Sequence, residues 1–99
     1  MDEIKFVKIL DGGIADPDPV KLSFGARHRL VWISRASKDY KIEFPGDSPF
    51  TQKTFEVPSG EECDPGVIKK TGRFNHDLNE KVLKKAGVVA ADPTIIIEQ

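Results

Sequence analysis

The chain has 99 residues, of which 38% are hydrophobic and 31% charged, and its formal net charge is -1. A chain of this length has room for one hydrophobic core, so we expect a single domain over residues 1–99. The near-neutral charge argues against nucleic-acid binding, and no apolar run reaches the roughly 20 residues that span a bilayer. The single cysteine excludes an internal disulfide.

The first half of the chain predicts four short strands separated by turn residues. IKFVKIL, residues 4–10, is rich in β-formers with hydrophobic residues on both faces, and Gly-Gly and Asp-Pro steps follow it. VKLSF (20–24) and YKIEF (40–44) each alternate between hydrophobic and polar residues. Between them, RHRLVWIS (27–34) places Leu30 and Trp32 on one face.

The second half of the chain predicts further short strands. TFEV (54–57) predicts a short strand, and GVIKKTGRFNHDL predicts up to two strands in which Phe74, His76 and Leu78 alternate. DPTIIIEQ predicts a final strand, which is buried on both faces if all three isoleucines are covered. The segment 79–86 suits either one short helix or a strand that runs into a loop or turn.

Short strands with turn signals about every eight to twelve residues are typical of β-sandwiches and barrels. We therefore predict an all-β fold, a Greek-key β-sandwich of about seven strands. An immunoglobulin-like or fibronectin-like sandwich is the alternative if the strand order differs.

Four segments in this order, LVW (30–32), YKIEF, FEVPSG (55–60) and GRFNHDL (72–78), resemble the sequence pattern of the cupredoxin, or blue-copper, family. The resemblance extends from about Val20 to Leu78 and implies a cupredoxin-like sandwich. The closing IIIEQ resembles the last strand of small cupredoxin-like proteins that bind no copper.

The same resemblance implies that the copper ligands are missing. The family's first His ligand would fall at Tyr40 and its Cys ligand at Leu78, and the only methionine is Met1. A type-1 copper site needs a Cys thiolate and two imidazoles that converge on one ion. We therefore expect no copper and no other cofactor.

Two candidate sites remain. Tyr40 and His76 would form a small polar pocket at the end of the sandwich where the family binds copper, although a buried histidine with an ordinary structural role is the simpler interpretation. The alternative is a metal-handling or redox site that uses His76, Cys63 and His28 in a geometry that the family does not use. Cys and His side chains are common metal ligands.

The predicted function is a non-enzymatic binding or structural module, with a protein partner or a second copy of the chain. We expect no enzyme because no motif supplies a nucleophile with a placed base. The expected location depends on whether a signal peptide was removed upstream of Met1. With such a signal the protein would be extracytoplasmic, that is, periplasmic or secreted, and otherwise it would be cytoplasmic.

Overall fold

A computed structural model describes residues 3–80 and 93–99 of the chain. Within these ranges all regular structure is β-strand. The ten strands in chain order are β1 (Ile4–Leu10), β2 (Ile14–Asp16), β3 (Val20–Ser23), β4 (Arg29–Ser34), β5 (Tyr40–Glu43), β6 (Thr54–Val57), β7 (Glu62–Cys63), β8 (Gly72–Asn75), β9 (Asp77–Glu80) and β10 (Thr94–Glu98).

The strands form one four-stranded and two three-stranded sheets. The four-stranded sheet has the order β2-β1-β4-β7, and its central strands β1 and β4 are parallel. The other two have the orders β3-β10-β8 and β6-β5-β9. Only His76 separates β8 from β9, so these two sheets continue into each other along the chain.

One hydrophobic core draws side chains from all three sheets. Trp32 lies near its centre and is fully buried, with its ring 5.2 Å from Phe55 and 5.9 Å from Phe50. Aromatic rings at these separations and tilts add to the stability gained from burial. The predicted all-β, sandwich-type fold is confirmed at this level.

The strand count is higher than the predicted seven. β2 and β7 have three and two residues, which is too short for hydrophobic alternation to show in the sequence. The break at His76 divides a further predicted strand in two. The helix or turn expected over 79–86 lies almost entirely outside the described residues. In residues 3–80 and 93–99, no helix has the length and hydrophobicity to cross a membrane.

The polar segment RASKD, residues 35–39, is a break between strands that connects the four-stranded sheet to β5. The Arg35 N–H donates to Ile9 O at 2.8 Å, and the Ser37 N–H donates to the Asp11 carboxylate at 2.8 Å. At the end of the break, Asp39 accepts a hydrogen bond from the backbone N–H of Ser59 at 2.8 Å. These contacts make the break a fixed connection between sheets.

Candidate functional site

Tyr40 and Leu78 occupy neighbouring positions on the inner face of the β6-β5-β9 sheet. In the β5–β9 ladder, Ile42 lies opposite Leu78 and Tyr40 opposite Glu80, so Tyr40 and Leu78 are diagonal neighbours. Both are almost completely buried in the core, with 1% and 0% exposure. The two positions at which the resemblance expects a His and a Cys ligand are thus close together and occupied by core side chains without metal-ligand character.

His76 lies between β8 and β9 and points inward, as its alternation with Phe74 and Leu78 predicts. It is 3% exposed, and its ring centroid is 4.9 Å from that of Phe44 and 6.2 Å from that of Trp32. Its backbone N–H donates to Pro93 O at 3.1 Å. His76 is therefore part of the aromatic core.

Along the β5–β9 ladder, Tyr40 lies opposite Glu80, four residues after His76 in the chain. His76 packs against Phe44, which follows Tyr40 by four residues along an extended segment, a backbone distance of about 13 Å. The Ile42–Leu78 pair lies between these two levels. The pocket predicted from Tyr40 and His76 stays a prediction.

Cys63 lies opposite Trp32 at the edge of the four-stranded sheet and is partly buried. Burial, and then the nearby Asp64 carboxylate, raise the pKa of the Cys63 thiol. Acidic residues flank Cys63 in the sequence and would also raise the pKa of its thiol, but burial is the larger cause. Cys63 therefore has little thiolate character at neutral pH.

Both ring nitrogens of His28 have partners. The Ser23 N–H donates to Nδ1 at 2.9 Å, so the proton of the neutral ring lies on Nε2, which is 3.1 Å from a Glu3 carboxylate oxygen. In the described part of the chain, no three His, Cys, Asp or Glu side chains lie close enough to hold a metal ion. His76, Cys63 and His28, the residues of the alternative metal or redox site, are thus not brought together.

The outer face of the four-stranded sheet is unusually apolar. On β1, Val7 and Ile9 point into the core, whereas Ile4 and Phe6 alternate with them and are 50% and 48% exposed. Val31, opposite Phe6 on β4, is buried but is not part of the main core. We use the name outer strip for the apolar residues of this face: Ile4, Phe6, Leu10, Ile14, Val31 and Ile33.

Charged residues of the outer face are arranged by strand. Lys8 and Arg29 lie on the central strands β1 and β4. Asp16 lies opposite Lys8 on edge strand β2, and Glu62 lies opposite Ile33 on edge strand β7. The face therefore has cations near its middle and carboxylates at both edges. The sequence signal for this surface was the hydrophobic character of both faces of IKFVKIL.

Neither the models of known protein families nor the curated proteins compared with the chain give a match.

Proposed function

We propose that this chain is a copper-free, cupredoxin-like sandwich that acts as a non-enzymatic structural module and associates with a second copy of itself through the outer strip. The observation that carries the proposal is the exposure of Ile4, Phe6 and Ile14, each about half exposed, on one sheet face. Contiguous apolar surface on a folded protein commonly marks an interaction site.

The cupredoxin-like identity is supported by where the matching segments lie. Each of the four segments that resemble the family contributes to a strand, namely β4, β5, β6 and the β8–β9 segment. The two ligand positions, Tyr40 and Leu78, are diagonal neighbours on one inner face, as residues that once shared a ligand set would be. A Tyr ring and a Leu side chain supply neither the imidazole nor the thiolate of that set.

A second copy fits the charge pattern of the outer face. If two copies pack face to face with their strands crossed, the carboxylate edges of one face the cations of the other. Lys8 would then lie near Asp16 and Glu62 of the other copy, whereas Arg29 keeps its ion pair with Asp64 of its own chain. Such self-complementarity is what a two-fold symmetric interface requires.

The area of the outer face limits how strongly two copies can associate. β1 is seven residues long, about 24 Å, and four strands at about 4.8 Å spacing are about 19 Å wide. The face therefore covers at most about 450 Å², less than the roughly 800 Å² per partner of a stable interface. We expect weak association, with a dissociation constant in the range of about 10 µM to 1 mM.

Sedimentation velocity over that range of concentrations tests the proposal. The wild-type chain should show a weight-average sedimentation coefficient that rises with concentration. Phe6→Glu, at the centre of the strip, should sediment as a monomer throughout. Thr71→Glu is the control, because Thr71 is exposed and directly precedes β8, which belongs to a different sheet, so this variant should associate like wild type. A wild-type chain that remains monomeric at about 1 mM contradicts self-association and leaves a different protein as the partner of this face.

Copper titration tests the other half of the proposal. Cu(II) or Zn(II) at one equivalent should leave the melting temperature within about 1 °C of the metal-free value, because a ligand that does not bind the folded chain adds no stability. A clear rise in melting temperature with one equivalent of either ion would support the metal-handling alternative instead.

A further inference from the structure

A cleft of about 240 Å³ lies at the end of the sandwich where β3 leads into β4. Its walls are formed by Phe24, Arg27, His28, Arg29, Val67 and Ile68. Ile68 packs on the core at the base, whereas Phe24 and Val67 are 41% and 55% exposed. The cleft thus combines an apolar interior with three basic side chains along one wall.

Two of these basic side chains already have acidic partners. Arg29 donates from Nη2 to both carboxylate oxygens of Asp64, at 3.0 and 3.1 Å, and His28 faces Glu3. Asp64 also accepts the Gly66 N–H at 2.9 Å, which holds the approach to the Val67 wall in place. These contacts fix both sides of the cleft without a ligand.

Arg27 differs from both. Its side chain is exposed and makes no hydrogen bond or ion pair with the residues that the structure describes. Its backbone has a φ of 58°, in the left-handed region that side chains other than glycine rarely adopt. The Arg27 N–H bonds to Phe24 O at 3.1 Å, and the His28 N–H bonds to Ser23 O at 3.0 Å, so the turn holds its shape. A strained turn that presents an uncompensated guanidinium beside an apolar cleft is a feature associated with function.

A second donor in the cleft wall also lacks an acceptor. The Nε–H of Arg29 is buried and has no hydrogen-bond partner within residues 3–80 and 93–99. A buried donor without an acceptor is unfavourable, but this atom is closed off from solvent, so a molecule in the cleft would not contact it directly.

We infer that this cleft binds a small apolar carboxylate, with the carboxylate on Arg27 and the apolar body between Phe24, Val67 and Ile68. A planar guanidinium matches a carboxylate in geometry as well as in charge. The cleft is smaller than the roughly 300–1,000 Å³ of common ligand pockets, so its occupant is a small molecule of about a dozen non-hydrogen atoms. None of the residues that would contact the ligand, Arg27, Phe24, Val67 and Ile68, belongs to the outer strip, although Arg29 of the cleft wall lies opposite Ile4.

The probe is 3-phenylpropionate, with 3-phenylpropanamide as its uncharged equivalent, and the readout is the two-dimensional NMR spectrum of the wild-type chain. We expect saturable shifts of the Phe24, Arg27, Val67 and Ile68 signals with a dissociation constant below about 1 mM. The amide should bind at least about tenfold more weakly, because it lacks the charge that pairs with the guanidinium.

Three variants locate the site. Arg27→Gly removes the guanidinium and relieves the backbone strain, so it should fold and bind at least about tenfold more weakly. Val67→Trp should abolish binding by filling the cleft, and the half-exposed site accommodates the larger ring. Arg35→Ala removes an exposed arginine elsewhere and should bind like wild type.

The inference is overturned if 3-phenylpropionate causes no saturable shifts up to about 10 mM, or if its amide binds equally well. Unchanged binding by Arg27→Gly would also overturn it. A peptide that ends in phenylalanine, acetyl-Gly-Gly-Phe, distinguishes the source of the carboxylate. Binding more than about tenfold tighter than that of 3-phenylpropionate would show that the occupant is a chain terminus instead of a small molecule.

Discussion

Replacement of Arg27 by glycine should stabilise the folded chain. Arg27 has a φ of 58°, where a residue with a Cβ atom costs about 1–2 kcal/mol relative to ordinary backbone. Glycine removes that strain but loses about 0.4–1 kcal/mol through the greater freedom of the unfolded chain. The side chain makes no polar contact with the described residues, and the turn is held by backbone hydrogen bonds that glycine keeps.

The net effect is a gain of about 0–1.6 kcal/mol, and the middle of this range, about 0.8 kcal/mol, corresponds to a rise in melting temperature of about 3–6 °C for a domain of this size. Urea denaturation at pH 7, with calorimetry for the melting temperature, measures both. Gly60→Ala is the matched reverse change: Gly60 has a φ of 75°, and a Cβ there would touch nothing within 4 Å, so only backbone strain is added. It should lose about 0.5–1 kcal/mol. If Arg27→Gly destabilises the chain by more than about 0.5 kcal/mol, the reasoning from backbone strain is wrong.

Three further outcomes follow from single contacts. Hydrogen bonds from the backbone and then the side chain of Ser37 hold the pKa of Asp11 below its ordinary value of 3.8. Their contribution to stability is therefore present above pH 3.8 and is lost as the pH falls through the lowered pKa. Ser37→Ala should raise the Asp11 pKa in an NMR titration, and an unchanged pKa would contradict this. Because burial raises the pKa of Cys63 above 9.0, its thiol at pH 8 should react with Ellman's reagent at least about tenfold more slowly than in the urea-unfolded chain; equal rates would show an accessible thiolate. Tyr40→His should give no intense blue absorption with Cu(II), because Leu78 supplies no thiolate, and a blue band would show that the ligand positions are misassigned.

The sequence predicted the strands whose hydrophobic alternation is long enough to read. TFEV is a strand over the predicted residues, and the strands that contain Trp32 and Tyr40 differ from prediction by one or two residues at their ends. The predicted inward direction of His76 is confirmed because a period of two fixes which side chains share a face.

The sequence did not predict which strands pair with one another. β1 pairs in parallel with β4, from Ile4 opposite Arg29 to Ile9 opposite Ser34, and pairing between residues this far apart leaves no local pattern in the sequence. The final strand would be buried on both faces only if all three isoleucines were covered; Ile95 and Ile97 are buried, and Ile96 is partly so. The cleft was missed for the same reason, because its walls come from segments about forty residues apart that meet only in the folded chain.

Sedimentation equilibrium of the wild-type chain and Phe6→Glu at matched concentrations measures self-association through the outer strip. We expect the wild-type average mass to rise from the 11.0 kDa of the monomer toward twice that value, and the variant to remain at 11.0 kDa. Equal masses for the two proteins across the whole concentration range would contradict the assignment of the outer strip as the self-association surface.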